Sequence, residues 1–413
     1  MEQSDLSLLL TFRDVDPTLP IGLIWCVTDD DLDAVGTNGV RKAFYAEWDR
    51  IPECAAFIDQ FAYVLVATPN DRERADIVEG LRERINIPLL LAEKAAFRGR
   101  DSVAELVADY GSQGALKSLI YNAVEMPRPG LLDLGDVPLT DPLPKNRVMS
   151  GFVPLDYCTG GFCGGQVSIW TGRRGEGKST LLGQIMAEAV NQGRAVCAYS
   201  GELPASQFKR SIAPQIAGPG NLRAVPDPYT GRTEYEPKNM DPIDRWLAGK
   251  FFLTDIRQQT AHDEDYILSL FSYAKRRYGC SVFLVDNIMT TQLKGERELG
   301  HLGAQKEFTR RLCAFAKSAD VHIHMVAHPR KSGDGALTAD DVAGANEISN
   351  LADKLFAVER QEAGTLVRIL KDRQTGSRNK IELQFEEKSR RFYDNGGDPN
   401  KKYSWEALEN GHG

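Results

Sequence analysis

No apolar run in this 413-residue sequence approaches the ~20 residues that a membrane-spanning helix needs. Cysteine is scarce: there are seven, an odd number, with no CxxC pair. That excludes a disulfide framework and a zinc ribbon, and ordinary reduced thiols are expected. An excess of positive charge is also missing, since 50 Lys and Arg face 58 Asp and Glu for a net charge of −8. Bulk charge therefore cannot hold nucleic acid, and any such contact needs a local basic surface. The acidic start, Met1-Glu2-Gln3-Ser4-Asp5, lacks the basic residues and small-residue cleavage site of a signal peptide. The expectation is a cytoplasmic protein, or one made inside a host cell, with no membrane partner. Internal repeats and low-complexity tracts are absent as well. What is present is an ordinary globular composition, 42% hydrophobic and 26% charged, long enough for two domains.

A change in composition marks the division. Met126 to Met149 holds five prolines, at 127, 129, 138, 142 and 144. That density blocks a regular helix and favours extended chain, so 126–150 reads as an interdomain linker. Before it, strand-like runs (22–27, 61–67, 88–91) alternate with helical ones (71–85, 101–110, 115–124), which predicts a small α/β domain over 1–125. After it, apolar strands at 167–171, 195–199, 251–254, 281–286, 322–327 and 354–359 are separated by helices. This predicts a larger α/β domain with a mostly parallel sheet over 151–396. Residues 217–249 read as a long loop and 397–413 as a C-terminal tail.

The larger domain carries chemistry. Gly172-Arg173-Arg174-Gly175-Glu176-Gly177-Lys178-Ser179 completes GxxxxGK[ST] between a strand and an amphipathic helix. Gly172, Gly175 and Gly177 let backbone N–H groups turn toward phosphate oxygens, and Lys178, Ser179 and Thr180 open the helix. Lys178 would reach the β- and γ-phosphates, and Ser179 would ligate Mg²⁺. Four apolar residues before Asp286 make it the second metal-side carboxylate, delivered to a sheet edge by a buried strand. Glu202 ends another strand; it fits a water-activating carboxylate or an acid capping the next helix. His328 ends a third, and fits a γ-phosphate contact or a surface histidine.

These segments together resemble a known family. Residues 151 to about 393 resemble the RecA-type motor domain of ring-shaped replicative helicases. The phage primase–helicases and mitochondrial Twinkle are the nearer likeness, bacterial DnaB the more distant. The resemblance rests on Ser150-Gly151-Phe152 through Gly164-Gly165-Gln166, the phosphate loop, Tyr199-Ser200-Gly201-Glu202-Leu203-Pro204, Val285-Asp286-Asn287, Ala327-His328-Pro329-Arg330-Lys331 and Lys371-Asp372-Arg373-Gln374-Thr375-Gly376. It implies ATP and Mg²⁺ as ligands, Glu202 activating water and His328 sensing the γ-phosphate. Arg373 would be an arginine finger, with Lys371 beside it, reaching a neighbouring subunit's ATP. A finger supplied in trans requires a homo-oligomer, in this family usually a hexameric ring. The family's DNA contacts lie on two loops facing the ring channel, which implies here 290–305, with Lys294 and Arg297, and 330–344, with Arg330 and Lys331. Asn350 stands near where the family often has Gln.

Residues 20–125 resemble a Toprim domain, the catalytic fold of bacterial-type primases. Thr28-Asp29-Asp30-Asp31-Leu32-Asp33-Ala34 stands at its Glu-Gly-Glu-x-Asp-Ala segment, and Ala67-Thr68-Pro69-Asn70-Asp71 at its Asp-x-Asp. Asp29 replaces the key Glu, and Pro69 replaces an Asp and cannot ligate metal. The resemblance thus implies a primase-like domain without primase activity. The combined reading is an ATP-driven ring helicase of DNA replication on single-stranded and forked DNA, moving 5′ to 3′. The alternatives are a RecA-like filament-forming ATPase that does not unwind, and a scaffold that uses ATP only as a clamp.

Overall fold

The computed structural model describes residues 22–35, 43–44, 58–59, 61–82, 84–126, 146–258, 260–329, 345–362 and 364–409, and isolated positions 134, 135, 137 and 338. The chain divides into two compact units, 1–139 and 140–413.

The first unit runs β1 (Leu23–Cys26), α1 (Asp29–Val35), β2 (Ala43–Phe44), β3 (Val64–Val66), α2 (Asp71–Arg82), β4 (Leu89–Ala92), α3 (Val103–Tyr121) and β5 (Ala123–Glu125). Its sheet has the order β2-β1-β3-β4-β5, with β5 antiparallel and the rest parallel. Alternation along β1 sends Ile24 and Cys26 to a core with Phe97 and Leu106, and Leu23 and Trp25 to one with Ile77 and Leu81. The two helices expected over 101–110 and 115–124 are found within 103–121 and meet at Gly111, whose φ of 70° only glycine adopts cheaply. Asp31 is buried, and its Oδ1 accepts from the Ala104 amide at 2.7 Å, at the start of α3. Asn70 Oδ1 accepts from the amides of Arg72 and Glu73 and caps α2.

The second unit holds a nine-stranded sheet. Its strands are β6 (Val167–Thr171), β7 (Val196–Ser200), β10 (Phe251–Leu253), β11 (Val282–Asp286), β12 (His322–Val326), β13 (Lys354–Gln361), β14 (Gly364–Asp372), β15 (Lys380–Glu386) and β16 (Arg391–Asp394). The order is β10-β7-β11-β12-β6-β13-β14-β15-β16. From β10 to β13 all pairs are parallel; from β13 to β16 they are antiparallel. Helix α4 (Val153–Thr159) precedes β6, and further helices cover both faces of the sheet. On one side α5 (Lys178–Asn191) and α6 (Ala205–Ala217) pack on Val282 and Leu284. On the other, α8 (Glu264–Tyr278) and α9 (Glu296–Ala319) pack on Phe283 and Val285. Neighbours on β11 thus serve opposite cores, which is why its apolar run is continuous.

Three expectations are corrected. Residues 217–249 are not a bare loop: β8 (Leu222–Pro226) and β9 (Thr233–Pro237) form a hairpin, and α7 (Asp241–Leu247) buries Ile243 and Trp246. Their prolines sit at strand and helix ends, where no ladder or helix hydrogen bond is lost. Residues 290–305 are largely helical, since α9 begins at Glu296 and breaks once at Gly300. Residues 397–409 do not form a separate tail. Tyr403 and Trp405 are buried, Tyr403 stacks on Trp246, and the Trp405 indole donates to the Ile216 carbonyl at 2.9 Å. Among the described residues, no helix is long and apolar enough to cross a membrane.

β12 carries two fully buried histidines. His322 Nδ1 donates to the Cys163 carbonyl, so its Nε2 accepts from Ser168 Oγ, both at 2.9 Å. His324 Nδ1 accepts from the Trp170 indole at 3.1 Å. Burial holds the His322 pKa down at about 3 and that of His324 well below its ordinary value. The unfolded chain binds protons at both near pH 6.5. Stability is thus intact above that pH and falls as pH drops toward about 3. The expected loss from pH 7 to pH 5 is about 2 kcal/mol per histidine. Urea midpoints at the two pH values measure it. His324→Leu should lose less on acidification than the parent; an equal loss would show that His324 does not contribute.

Candidate active site

Parallel strands bring their C-terminal ends to one edge, and the register aligns them: Asp286 pairs with Ser200, Val285 with Met325, and Val326 with Trp170. The phosphate loop after β6, Glu202 after β7, Asp286 on β11 and His328 after β12 therefore converge. A cavity of about 610 Å³ opens there. Lys178, Ser179, Thr180, Glu202, Asp286, Asn287 and His328 line it, with Gly175, Gly177 and two arginines, 174 and 390.

The loop is built for close backbone approach. Gly172 has φ +150°, and a Cβ there would lie 2.4 Å from the Val358 carbonyl. It stands behind the cavity wall, and its carbonyl accepts from Lys178 Nζ at 2.7 Å; the Arg173 carbonyl does so at 2.8 Å. Gly175 and Gly177 also have positive φ. Burial lowers the Lys178 pKa, opposed by the charge of Asp286. Burial raises that of Asp286, opposed by a hydrogen bond from Ser179. At Gly201 a Cβ would lie 1.8 Å from Thr290 Oγ1, and its amide donates to the Asp286 carbonyl at 2.7 Å. Only glycine lets the chain pass there, and this sets Glu202 beside Asp286.

A triphosphate with Mg²⁺ suits these groups. The glycine cradle leaves amides free to face phosphate oxygens, and the Ser179 hydroxyl and Asp286 carboxylate are already adjacent. Among the described residues no group of three or more His, Cys, Asp or Glu could hold a metal ion alone.

Two polar lining residues to which the sequence reading gives no role are Asn287 and Arg390. Asn287 Nδ2 lies 2.6 Å from Glu202 Oε1 and 3.2 Å from His328 Nε2. Arg390 comes from the turn between β15 and β16, with φ 59°. No spacing signals it, because that turn meets the phosphate loop only through the antiparallel extension of the sheet. A second cavity of about 480 Å³ shares Gly175, Gly177, Thr180 and Arg390 with the first, and adds Arg360, Phe385 and Tyr393.

Lys371 and Arg373 lie outside both cavities. Lys371 Nζ donates to the Ser349 carbonyl at 2.7 Å and that of Asn350 at 3.2 Å. Arg373 donates to the Asn350 carbonyl and lies 3.7 Å from Asp353. Both cations thus cap the C-terminal end of α10 (Ala345–Leu351). The Asn350 carbonyl is taken while its residue stays exposed. Lys294 is paired with Asp265, and Arg297 is exposed on the first turn of α9. Arg330 and Lys331 lie outside the described residues.

Comparison with known proteins agrees with this geometry. Residues 147–394 match the family model of the DnaB-like helicase C terminal domain. A DNA helicase/primase of Enterobacteria phage T3 is 26% identical over 244 residues, which is 55% of this chain and 42% of that protein. The chain thus spans less than half the length of that curated relative. A solved DnaB-like replicative helicase, described with its interactions with primase, superposes with a TM-score of 0.51 at 16% identity. It covers 70% of this chain and 72% of its own, a likeness of fold. The family match takes in the phosphate loop, Glu202, Asp286, His328 and the Lys371/Arg373 turn, and on it the chain belongs to the DnaB-like helicase C-terminal domain family.

Proposed function

We propose that this chain is the motor of a replicative DNA helicase, a ring that draws itself along one strand 5′ to 3′ and hydrolyses ATP at its subunit interfaces. The observation that carries the reading is a division of labour. One protomer gathers Lys178, Ser179, Asp286, Glu202 and His328 around one cavity and keeps Lys371 and Arg373 out of it. Arg174 and Arg390 line the cavity, but the Lys371/Arg373 pair that the family resemblance makes the finger lies outside it, which suits hydrolysis between subunits.

In this reading Lys178 and the loop amides bind the phosphates, and Ser179 and Asp286 would hold Mg²⁺, which would supply neutralising charge to the phosphates. Glu202 takes the proton of the attacking water. His328 contacts the γ-phosphate, and the second cavity, walled by Arg360, Phe385 and Arg390, receives the nucleoside. Lys294, Arg297, Arg330, Lys331 and Asn350 would grip the DNA backbone, a set of local cations that suits an acidic chain. Residues 1–125 are read as Toprim-like without primase chemistry. Pro69 at a ligand position supports this, as does the use of Asp31 and Asn70 as helix caps.

Strand displacement tests the whole reading. With ATP and Mg²⁺, a forked duplex with a 5′ tail should be separated, and one with only a 3′ tail should not. DNA-stimulated ATP hydrolysis without separation of either substrate would overturn unwinding and favour the filament.

A further inference from the structure

We infer that Asn287 is a positioning residue that sets the orientation of Glu202 and the tautomer of His328 through one side-chain amide. The inference rests on the nucleotide-hydrolysing reading of the same cavity.

Hydrogen-bond chemistry fixes every orientation in this cluster. The Met289 amide can only donate, and it lies 2.9 Å from the Asn287 side chain, so that atom is the acceptor Oδ1. The opposite atom is then the NH₂ group. It lies 2.6 Å from Glu202 Oε1, and an ionised carboxylate only accepts, so the assignment is determined twice. The second N–H of the same group meets His328 Nε2 at 3.2 Å. An amide nitrogen does not accept, so Nε2 must. Neutral His328 therefore carries its proton on Nδ1.

Two consequences follow. Asn287 is 2% exposed, and its own turn over Ile288–Thr290 holds it, so Glu202 is tied to a rigid group. His328 Nδ1–H is buried and has no partner among the described residues. His328 lines the cavity, and an unsatisfied buried donor costs free energy, so a turn of the ring that presents Nδ1–H to a phosphate oxygen would recover it. Burial and then the nearby Lys178 charge lower the His328 pKa, in keeping with the neutral form. A single side chain thus links the group that meets water to the group that meets phosphate. Sequence pattern alone would assign Asn287 no more than the cap of a short turn.

Cap-preserving variants separate these roles. Asp and Ser at position 287 both accept from the Met289 amide. Asp offers Glu202 and His328 no donor, and Ser is too short to reach them. ATP turnover is measured for the full chain, for Asn287→Asp, for Asn287→Ser and for Lys178→Ala. A misplacement of about 1 Å can cost ~10²-fold, so kcat should fall about 10- to 100-fold in both Asn287 variants. KM for ATP should stay within about threefold, with an unchanged melting temperature. Parental kcat in both Asn287 variants overturns the inference and leaves the nucleotide reading standing. Absence of turnover by the parent, or turnover undiminished in Lys178→Ala, overturns that reading and this inference with it.

Discussion

Arg373→Ala should lower ATP turnover by ~10³-fold or more while leaving nucleotide binding to the same protomer intact. The reason is positional. Arg373 follows directly on Asp372, whose carboxylate is fully buried with the ammonium of Lys354 at 2.8 Å. Asp372 Oδ1 also accepts from the amides of Gln374 and Thr375, which fixes the turn that displays the guanidinium. Lys354 Nζ in turn donates to the Thr159 carbonyl, so the base of the turn is tied to the sheet and to the chain before β6. A buried pair satisfied this completely holds one geometry, because any displacement strands a charge in the interior. The guanidinium itself is half exposed and is held, among the described residues, by the end of α10 and by Asp353. Such a group is free to exchange those acceptors for a phosphate on another subunit.

Mixing supplies the decisive control. Lys178→Ala subunits lack the phosphate lysine but keep Arg373, and Arg373→Ala subunits have the reverse. In a mixed assembly some interfaces join an intact phosphate loop to an intact finger. Turnover in the mixture should therefore exceed the sum of the two variants assayed separately. A mixture no more active than that sum, once assembly is verified, would place the finger in cis or remove it.

Glu202→Gln should lower kcat by ~10²- to 10⁴-fold, with little change in affinity for ATP. Glutamine is isosteric and its carbonyl oxygen still accepts from Asn287, so the frame of the site survives. What is lost is the ability to take a proton from water. Glu202→Asp makes the complementary change: it keeps the charge and withdraws the carboxylate by about one methylene. It should retain more activity than Gln if proton transfer tolerates the longer path, and less if alignment dominates. Single-turnover hydrolysis alongside equilibrium binding of a non-hydrolysable ATP analogue separates chemistry from binding. Wild-type turnover in Glu202→Gln would leave Glu202 as the acid that precedes α6, the plain alternative its spacing allows.

Much of this was legible without coordinates, for identifiable reasons. A buried parallel strand must be apolar on both faces, so β6, β7, β11 and β12 stand out as continuous runs, and a polar residue ending such a run can only lie at the sheet edge. Glu202, Asp286 and His328 are legible that way, and Lys178 from the GxxxxGK[ST] spacing. Helix α5 was equally plain, because its first turn is the phosphate loop itself. The roles of Lys371 and Arg373 were not a matter of pattern, since as residues they read as charges on a β-edge, and only the family resemblance singled them out. The errors fell where local composition misleads. Prolines and glycines in 217–249 mark the ends of a hairpin and a helix as readily as a loop, and the apolar residues that decide between them, Ile243 and Trp246, find their partners far along the chain. The same holds for Tyr403 and Trp405, which look like a tail until Trp246 and Ile216 are brought beside them. Sequence by itself determined the α/β class, the phosphate-binding chemistry and the residues at the strand ends, because each rests on a local period or spacing. Only the tertiary structure decided that Asn287 joins Glu202 to His328, that Arg390 reaches the cavity from a distant turn, and that Lys371 and Arg373 cap α10. Each of those is a contact between segments tens to hundreds of residues apart, and the register of the sheet, which no local pattern encodes, is what brings them together.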